Sequence, residues 1–431
     1  MRKARRPAAT ALALALALQL GAAVPAVAAD ITATAGYENG NSPLNLTQIA
    51  RYSSGQYNVD GGVMEIVAYN RSNGFAYAIN GQSGLLAAIP LNNLAAGDSV
   101  ARLSGTDIDV KALVEAADSS FRYGDMTSVA VSPDSATLAA ALQAEGYNDA
   151  GRVALFTCNS DGTLTLKGLV ETGVQPDMVT FADNDTVLTA DEGEPREGYG
   201  DGVADPRGSV TVVDVSALTS EVVGFDAFDG RRDELAASGV VLKKGVNPST
   251  DLEPEYIAVS GGKAYITLQE NNAIAVLDLT SRTFDGIYSA GFEDYGVTPV
   301  DIDKKDDAYA PKTYGGLMGI RMPDAIAAFQ AEGKTYLVTA NEGDAREWGD
   351  EDLGTFYLNE DERDFGDEGV TSPTGAITAE NSGLTGKVVF FKSGDFDGLD
   401  TGKDYLFGGR TFTLYELSLI HISEPTRPEP I

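Results

Sequence analysis

The chain has 431 residues, with 64 Asp and Glu against 31 Lys and Arg, and a formal net charge of −33 at neutral pH. A field of that sign repels phosphate backbones and anionic membranes, which argues against nucleic acid as a partner and for cations. The single cysteine, Cys158, leaves no intrachain disulfide, so stability must come from a hydrophobic core, for which the length is ample.

At the N-terminus Arg2, Lys3, Arg5 and Arg6 precede an Ala/Leu run that closes on the small residues Ala26-Val27-Ala28-Ala29. This is the pattern of an export signal over residues 1–29, followed by a secreted mature chain. Pro7-Ala8-Ala9 stands where a twin-arginine signal needs apolar residues, which favours the general secretory route. No later segment approaches the roughly 20 apolar residues of a membrane span.

From there on, short runs of β-branched and aromatic residues alternate with Gly, Asn, Asp and Pro clusters, the grammar of an all-β protein. The runs repeat. Glu65–Tyr69 precedes Ala76–Ile79, and Thr127–Val131 precedes Thr137–Ala140 and Val153–Phe156. Pro176–Phe181 precedes Thr186–Ala190 and Gly208–Asp214, and Pro254–Val259 precedes Ala264–Leu268 and Ala273–Asp278. Pro323–Ala328 precedes Thr335–Ala340, and Thr411–Tyr415 reads as the start of a further unit. A recurring unit of three or four strands with unequal insertions predicts a β-propeller, here five blades and the start of a sixth. A sandwich is the competing architecture, but it gives no reason for repeated Pro-carboxylate openings. Residues 109–117 and 231–238 read as helical surface insertions. The last fifteen residues read differently: Leu417-Ser-Leu-Ile-His-Ile-Ser-Glu-Pro-Thr-Arg427 looks like a translated sequencing-library adapter, so native sequence is expected to cover residues 30–416 of the mature chain and to exclude His421.

Two loops are near copies, each directly after a strand ending in Thr-Ala: Ala190-Asp-Glu-Gly-Glu-Pro-Arg-Glu197 and Ala340-Asn-Glu-Gly-Asp-Ala-Arg-Glu347. With Asp251-Leu-Glu-Pro-Glu-Tyr-Ile-Ala-Val259, Thr267-Leu-Gln-Glu-Asn-Asn272 and Pro323-Asp-Ala-Ile-Ala-Ala-Phe329, they resemble the choice-of-anchor I family. That family includes mesenchyme-specific cell-surface glycoproteins associated with biomineralisation, and its bacterial members are sometimes labelled alkaline-phosphatase-like. The resemblance implies a secreted or cell-surface propeller of about seven blades with a varied C-terminal anchor. It also makes Gln48–Ser54 the natural strand to complete a final blade.

Without a native histidine, and with one cysteine, a metal here must be held by oxygen, which points to calcium, with magnesium as the alternative. The same absence removes His-activated nucleophiles. In a propeller blade the first strand begins at the face where the second ends. The opening carboxylates Glu65, Asp177, Glu255 and Asp324 should then share a face with the loop carboxylates Glu192, Glu270 and Glu342, forming a calcium-binding ring. The alternative is that each carboxylate caps nearby backbone amides. Asp395-Phe-Asp-Gly-Leu-Asp400, with Asp404 beyond, is a second possible calcium loop, against a plain acidic turn. Arg196 and Arg346 hold matching places in the copied loops and suit either an intraloop ion pair or a phosphate or carboxylate ligand, with Tyr199 and Trp348 beside them. Two functions follow as expectations. The first is a surface module binding calcium and an extracellular ligand, matrix or mineral surface. The second is a calcium-dependent phosphoesterase acting on a phosphorylated small molecule.

Overall fold

The computed structural model describes residues 34–35, 46–56, 63–92, 94, 100–199, 202–303, 309–348 and 357–417. The expected signal peptide and residues 418–431 lie outside the described residues. Within them the chain is all-β, dominated by antiparallel sheets. Sheet I joins Val67–Asn70, Phe75–Asn80, Leu85–Pro90 and Thr106–Asp109. Sheet II joins Tyr123–Val131, Thr137–Ala144, Ala150–Cys158 and Leu164–Val174. Sheet III is built from Pro176–Phe181, Thr186–Asp191, Ser209–Asp214 and Thr219–Gly224. Sheet IV has Ile257–Ser260, Lys263–Leu268, Ala273–Asp278 and Thr283–Ser289. Sheet V has three strands, Pro323–Ala331, Lys334–Asn341 and Thr411–Leu417.

The sheets stack face to face in sequence order, which explains why their strands are apolar throughout instead of alternating. Along Thr137–Ala144, Leu138, Ala140 and Leu142 pack with Tyr77, Ile79 and Leu86 of sheet I. The intervening Ala139 and Ala141 pack with Val179, Val187 and Val213 of sheet III. Leu188 and Val210 of sheet III meet Ile257, Ile266 and Leu268 of sheet IV. Tyr265, Ile274 and Val276 of sheet IV meet Leu337 and Tyr415 of sheet V. Each fully buried Leu, Ile or Val stabilises by about 1.5–3 kcal/mol, so the sheets are held chiefly by these interfaces. The first strands of successive sheets lie side by side.

The strand read as opening a sixth unit belongs to the fifth. Thr411–Leu417 runs antiparallel to Lys334–Asn341, with Thr339 opposite Thr413. Residues 342–410 separate the two, and local pattern cannot tell a third strand from a first across such a gap. Gln48–Ser54 adds to no last sheet either: Ala50–Arg51 pairs in parallel with Ala101–Arg102, and Tyr52 packs on the outer face of sheet I. Both helical insertions form, as Val110–Ala117 and Arg232–Ala237. Asp109 caps the first by accepting from the Ala112 amide at 2.8 Å.

Antiparallel order puts the start of strand one, the end of strand two, the start of strand three and the end of strand four at one end of every sheet. The long insertions, residues 225–256, 290–322 and 342–410, all leave from that end and pack together. Leu242–Lys243 pairs with Phe396–Asp397, and Leu317–Ile320 runs parallel to Asp404–Phe407. Tyr295, Leu317, Phe365, Phe390 and Leu406 give this cap a core of its own.

Candidate functional site

The same end carries the predicted carboxylates. Pro176 stands opposite Asp191 and Pro323 opposite Asn341, while the Glu255 amide donates to the Thr267 carbonyl at 3.0 Å. Each strand-one opening is thereby brought beside a strand-two end. Sheet II supplies a further opening acid, Asp125, which sequence reasoning missed. Gly124-Asp125-Met126 lacks the proline of Pro176-Asp177-Met178, but the shared Asp-Met was the available signal.

Electrostatics shows which of these groups lie together. Burial, then Glu270, Glu192, Asp177 and Asp324, push the Glu255 carboxyl well above the usual carboxylate range. Burial followed by Glu342 and Asp177 raises Asp324 to about 6. Burial raises Glu270 to about 7, against the opposing charge of Arg346 and with Asp344 and Glu194 adding to the rise. The Tyr256 hydroxyl is pushed up to about 12, first by burial and then by Asp324, Asp177, Glu255 and Glu342. Six of the seven predicted ring carboxylates therefore form one group across sheets III to V; Glu65 stands exposed on the approach to sheet I. Among the described residues, no three Asp, Glu, His or Cys side chains converge closely enough to hold a metal ion as placed. The donors are all oxygen, as a hard cation requires. Glu270, 8% exposed, has its Oε2 buried without a hydrogen-bond partner.

Next to Glu270 lies an ion cluster that the sequence did not reveal. Arg346, 4% exposed, donates from Nη1 to Asp251 Oδ1 at 2.8 Å and to Glu253 Oε1 at 3.2 Å, and from Nη2 to the Asp251 carbonyl at 2.8 Å. Burial, the largest single influence, opposes its charge, but Asp251, Glu253, Tyr199 and Glu270 together outweigh it and hold the guanidinium protonated. Tyr199 accepts from Nη1 at 3.3 Å, and the Lys243 ammonium sits 4.4 Å above the Tyr199 ring. Arg196 takes a related path: Nη2 donates to Gln143 Oε1 of sheet II at 3.0 Å and Nε to Glu194 Oε2 at 3.3 Å. Arg196 thus stays with its own loop and the preceding sheet, whereas Arg346 reaches Asp251 and Glu253 in the insertion that leads into sheet IV, so the two guanidinium groups share no partner. Trp348 pairs through its backbone with Tyr357. The loop glycines are required by geometry: Gly343 has φ +83°, and a Cβ there would lie 2.0 Å from the Gly408 nitrogen.

The residue before each loop glutamate is buried and polar. Asp191 accepts from Thr189 Oγ1 at 2.7 Å, Ser209 Oγ at 2.8 Å and Thr211 Oγ1 at 2.6 Å. Burial still raises it to about 6 despite these bonds. Asn341 takes the same place in sheet V, accepting from Thr339 at 2.9 Å and donating to Thr411 and Thr413 at 2.9 and 2.7 Å.

The carboxylates of the second acidic loop engage separate partners, and Asp404 is buried. Asp397 Oδ2 accepts from Arg232 at 2.8 Å, Asp400 Oδ1 from the Gly402 amide at 2.8 Å, and Asp404 from the Thr374 amide and hydroxyl at 2.9 and 2.7 Å. Asp395 begins the same turn, its backbone amide donating to the Lys392 carbonyl at 3.4 Å.

No helix among the described residues is long and apolar enough to cross a membrane. The profile of the choice-of-anchor I domain matches residues 65–422. No curated protein matches the chain. Among solved structures, apo AztD from Citrobacter koseri is similar at 14% identity and a TM-score of 0.28, over 52% of this chain and 47% of that one. A putative 6-phosphogluconolactonase from Bacteroides fragilis is similar at 14% identity and a TM-score of 0.33, over 67% and 64%. The Malassezia sympodialis allergen Mala s 1 is similar at 9% identity and a TM-score of 0.35, over 82% and 86%. The chain thus spans less than two thirds of the first two, and at these scores the likenesses carry no argument about what it does.

Proposed function

We propose, from the premise that the chain belongs to the choice-of-anchor I domain family, that it is a secreted or cell-surface β-propeller module whose acidic mouth binds calcium. Sheets I to V stacked face to face, with first strands adjacent, fit five blades around an axis, of the about seven that the family's complete form is expected to have. The observation that carries the reading is the gathering of Asp177, Glu192, Glu255, Glu270, Asp324 and Glu342 at one end of three neighbouring sheets, with Glu270 Oε2 buried and unpartnered. Clustered like charges cost stability until a cation offsets them. Calcium takes six to eight oxygens in flexible geometry and tolerates the inward rotation that these carboxylates must make. Its binding would serve attachment to an extracellular ligand, matrix or mineral surface. Isothermal titration tests the reading: calcium should bind and raise the melting temperature, and Glu255→Gln with Asp324→Asn should abolish both. Binding that survives the double substitution would place calcium elsewhere.

The phosphoesterase alternative needs Arg196 and Arg346 to meet on one anion, whereas Arg346 spends its Nη groups on Asp251, Glu253 and Tyr199. Turnover of generic phosphate esters that follows calcium and disappears on replacing either arginine would revive it.

A further inference from the structure

Arg410 stands where the long insertion over residues 342–410 returns to sheet V, just before Thr411–Leu417. Its backbone is left-handed, with φ +50°, and its amide donates to the Asn341 carbonyl at 3.2 Å, which fixes where the side chain leaves the chain. The guanidinium donates from Nη1 to the Asp301 carbonyl, and among the described residues it pairs with no carboxylate, although acids outnumber bases 64 to 31. An arginine in that position has Nε and Nη2 left for a forked contact with an anion.

Arg410 borders a cavity of about 210 Å³ in the cap, enclosed by residues 343–345 of the copied loop and by the strands Glu360–Asp364, Lys387–Phe391 and Asp404–Phe407. Val389, Leu406 and Phe407 give it an apolar wall, and Asp344 and Glu360 add carboxylates to its lining. Close backbone packing holds this shape. A Cβ on Gly343 would lie 2.0 Å from the Gly408 nitrogen and one on Gly408 1.9 Å from the Glu342 carbonyl oxygen, so the loop is locked against the end of Asp404–Phe407. The volume is below the roughly 300–1,000 Å³ of drug-sized sites and suits a small metabolite. Charge narrows the class further: a plain anion would face Asp344 and Glu360, and a plain amine would face Arg410, whereas a zwitterion meets an opposite charge at each end.

We propose that this cavity binds a free α-amino acid with an apolar side chain. The carboxylate would sit on Arg410, the ammonium at Asp344 and Glu360, and the side chain along Val389, Leu406 and Phe407. The site goes beyond the calcium reading and stands without it.

The test titrates the full chain in calcium-free buffer with L-valine, L-leucine and L-phenylalanine by calorimetry, with a melting curve for every variant to verify folding. At least one should bind with a millimolar or tighter Kd. For the tightest, the amide that lacks the carboxylate and the analogue that lacks the amine should each bind at least about tenfold more weakly. Arg410→Gln changes an exposed side chain and should weaken binding by at least about tenfold, and Ala345→Phe, which fills the cavity, should abolish it. Arg282→Gln removes an exposed guanidinium in the turn between Ala273–Asp278 and Thr283–Ser289, at the opposite end of sheet IV, and should change affinity by less than about twofold. No binding by any of the three amino acids would overturn the proposal. So would affinity that Arg410→Gln leaves unchanged, or an analogue lacking either charged group that binds as tightly as the amino acid.

Discussion

Arg346→Met keeps most of the side chain's length but deletes a guanidinium enclosed by Asp251 and Glu253. Asp251 is fully buried and Glu253 is 3% exposed, so neither carboxylate can turn to water when its partner goes. Breaking a buried pair from one side costs about 3–5 kcal/mol, because the remaining charge is left uncompensated. Burial already pushes both carboxyls upward against the pull of Arg346, so in the variant they take up protons more readily. Protonation relieves the unpaired charge, and the penalty should therefore be largest at pH 7 and smaller at pH 5. Urea unfolding monitored by near-UV circular dichroism should show a loss of at least about 3 kcal/mol at pH 7. Adding Asp251→Asn and Glu253→Gln removes the two carboxylates left unpaired and should recover most of that loss. A loss below about 1 kcal/mol at pH 7, or a triple variant no more stable than the single one, would refute the reasoning and show the cluster to be hydrated.

Asp191 has a folded-state pKa raised to about 6, so the folded chain holds its proton where the unfolded chain has released it, and stability falls as pH rises from about 4 through 6. Asp191→Asn, copying Asn341 of sheet V, should gain at most about 3 kcal/mol at pH 7 and little at pH 4; an equal gain at both would contradict this linkage. Gly343→Ala forces a Cβ to 2.0 Å from the Gly408 nitrogen at φ +83°, and should cost at least about 2 kcal/mol. Gly375→Ala, at φ +79° and meeting nothing within 4 Å, is the matched comparison, and similar melting temperatures for the two variants would remove the steric account.

Strand identity, the stacking order and the end at which the acids gather were legible in the sequence, because each is a local property repeated along the chain. Apolar runs such as Thr137–Ala144 can bury both faces only between two other sheets, and hairpin pairing of Thr186–Asp191 with Pro176–Phe181 brings Asp177 and Glu192 to one end without any long-range information. Tertiary structure decided the partners of segments far apart in the chain. Thr411–Leu417 joins sheet V across residues 342–410, and Arg346 finds Asp251 and Glu253 nearly a hundred positions away. The copied loops look alike in sequence, yet Arg196 stays at an accessible edge with Glu194 while Arg346 is sealed beneath the cap. What separates them is the packing of the three insertions over one end of the stack, a question of which apolar faces cover which charges, and no local pattern encodes it.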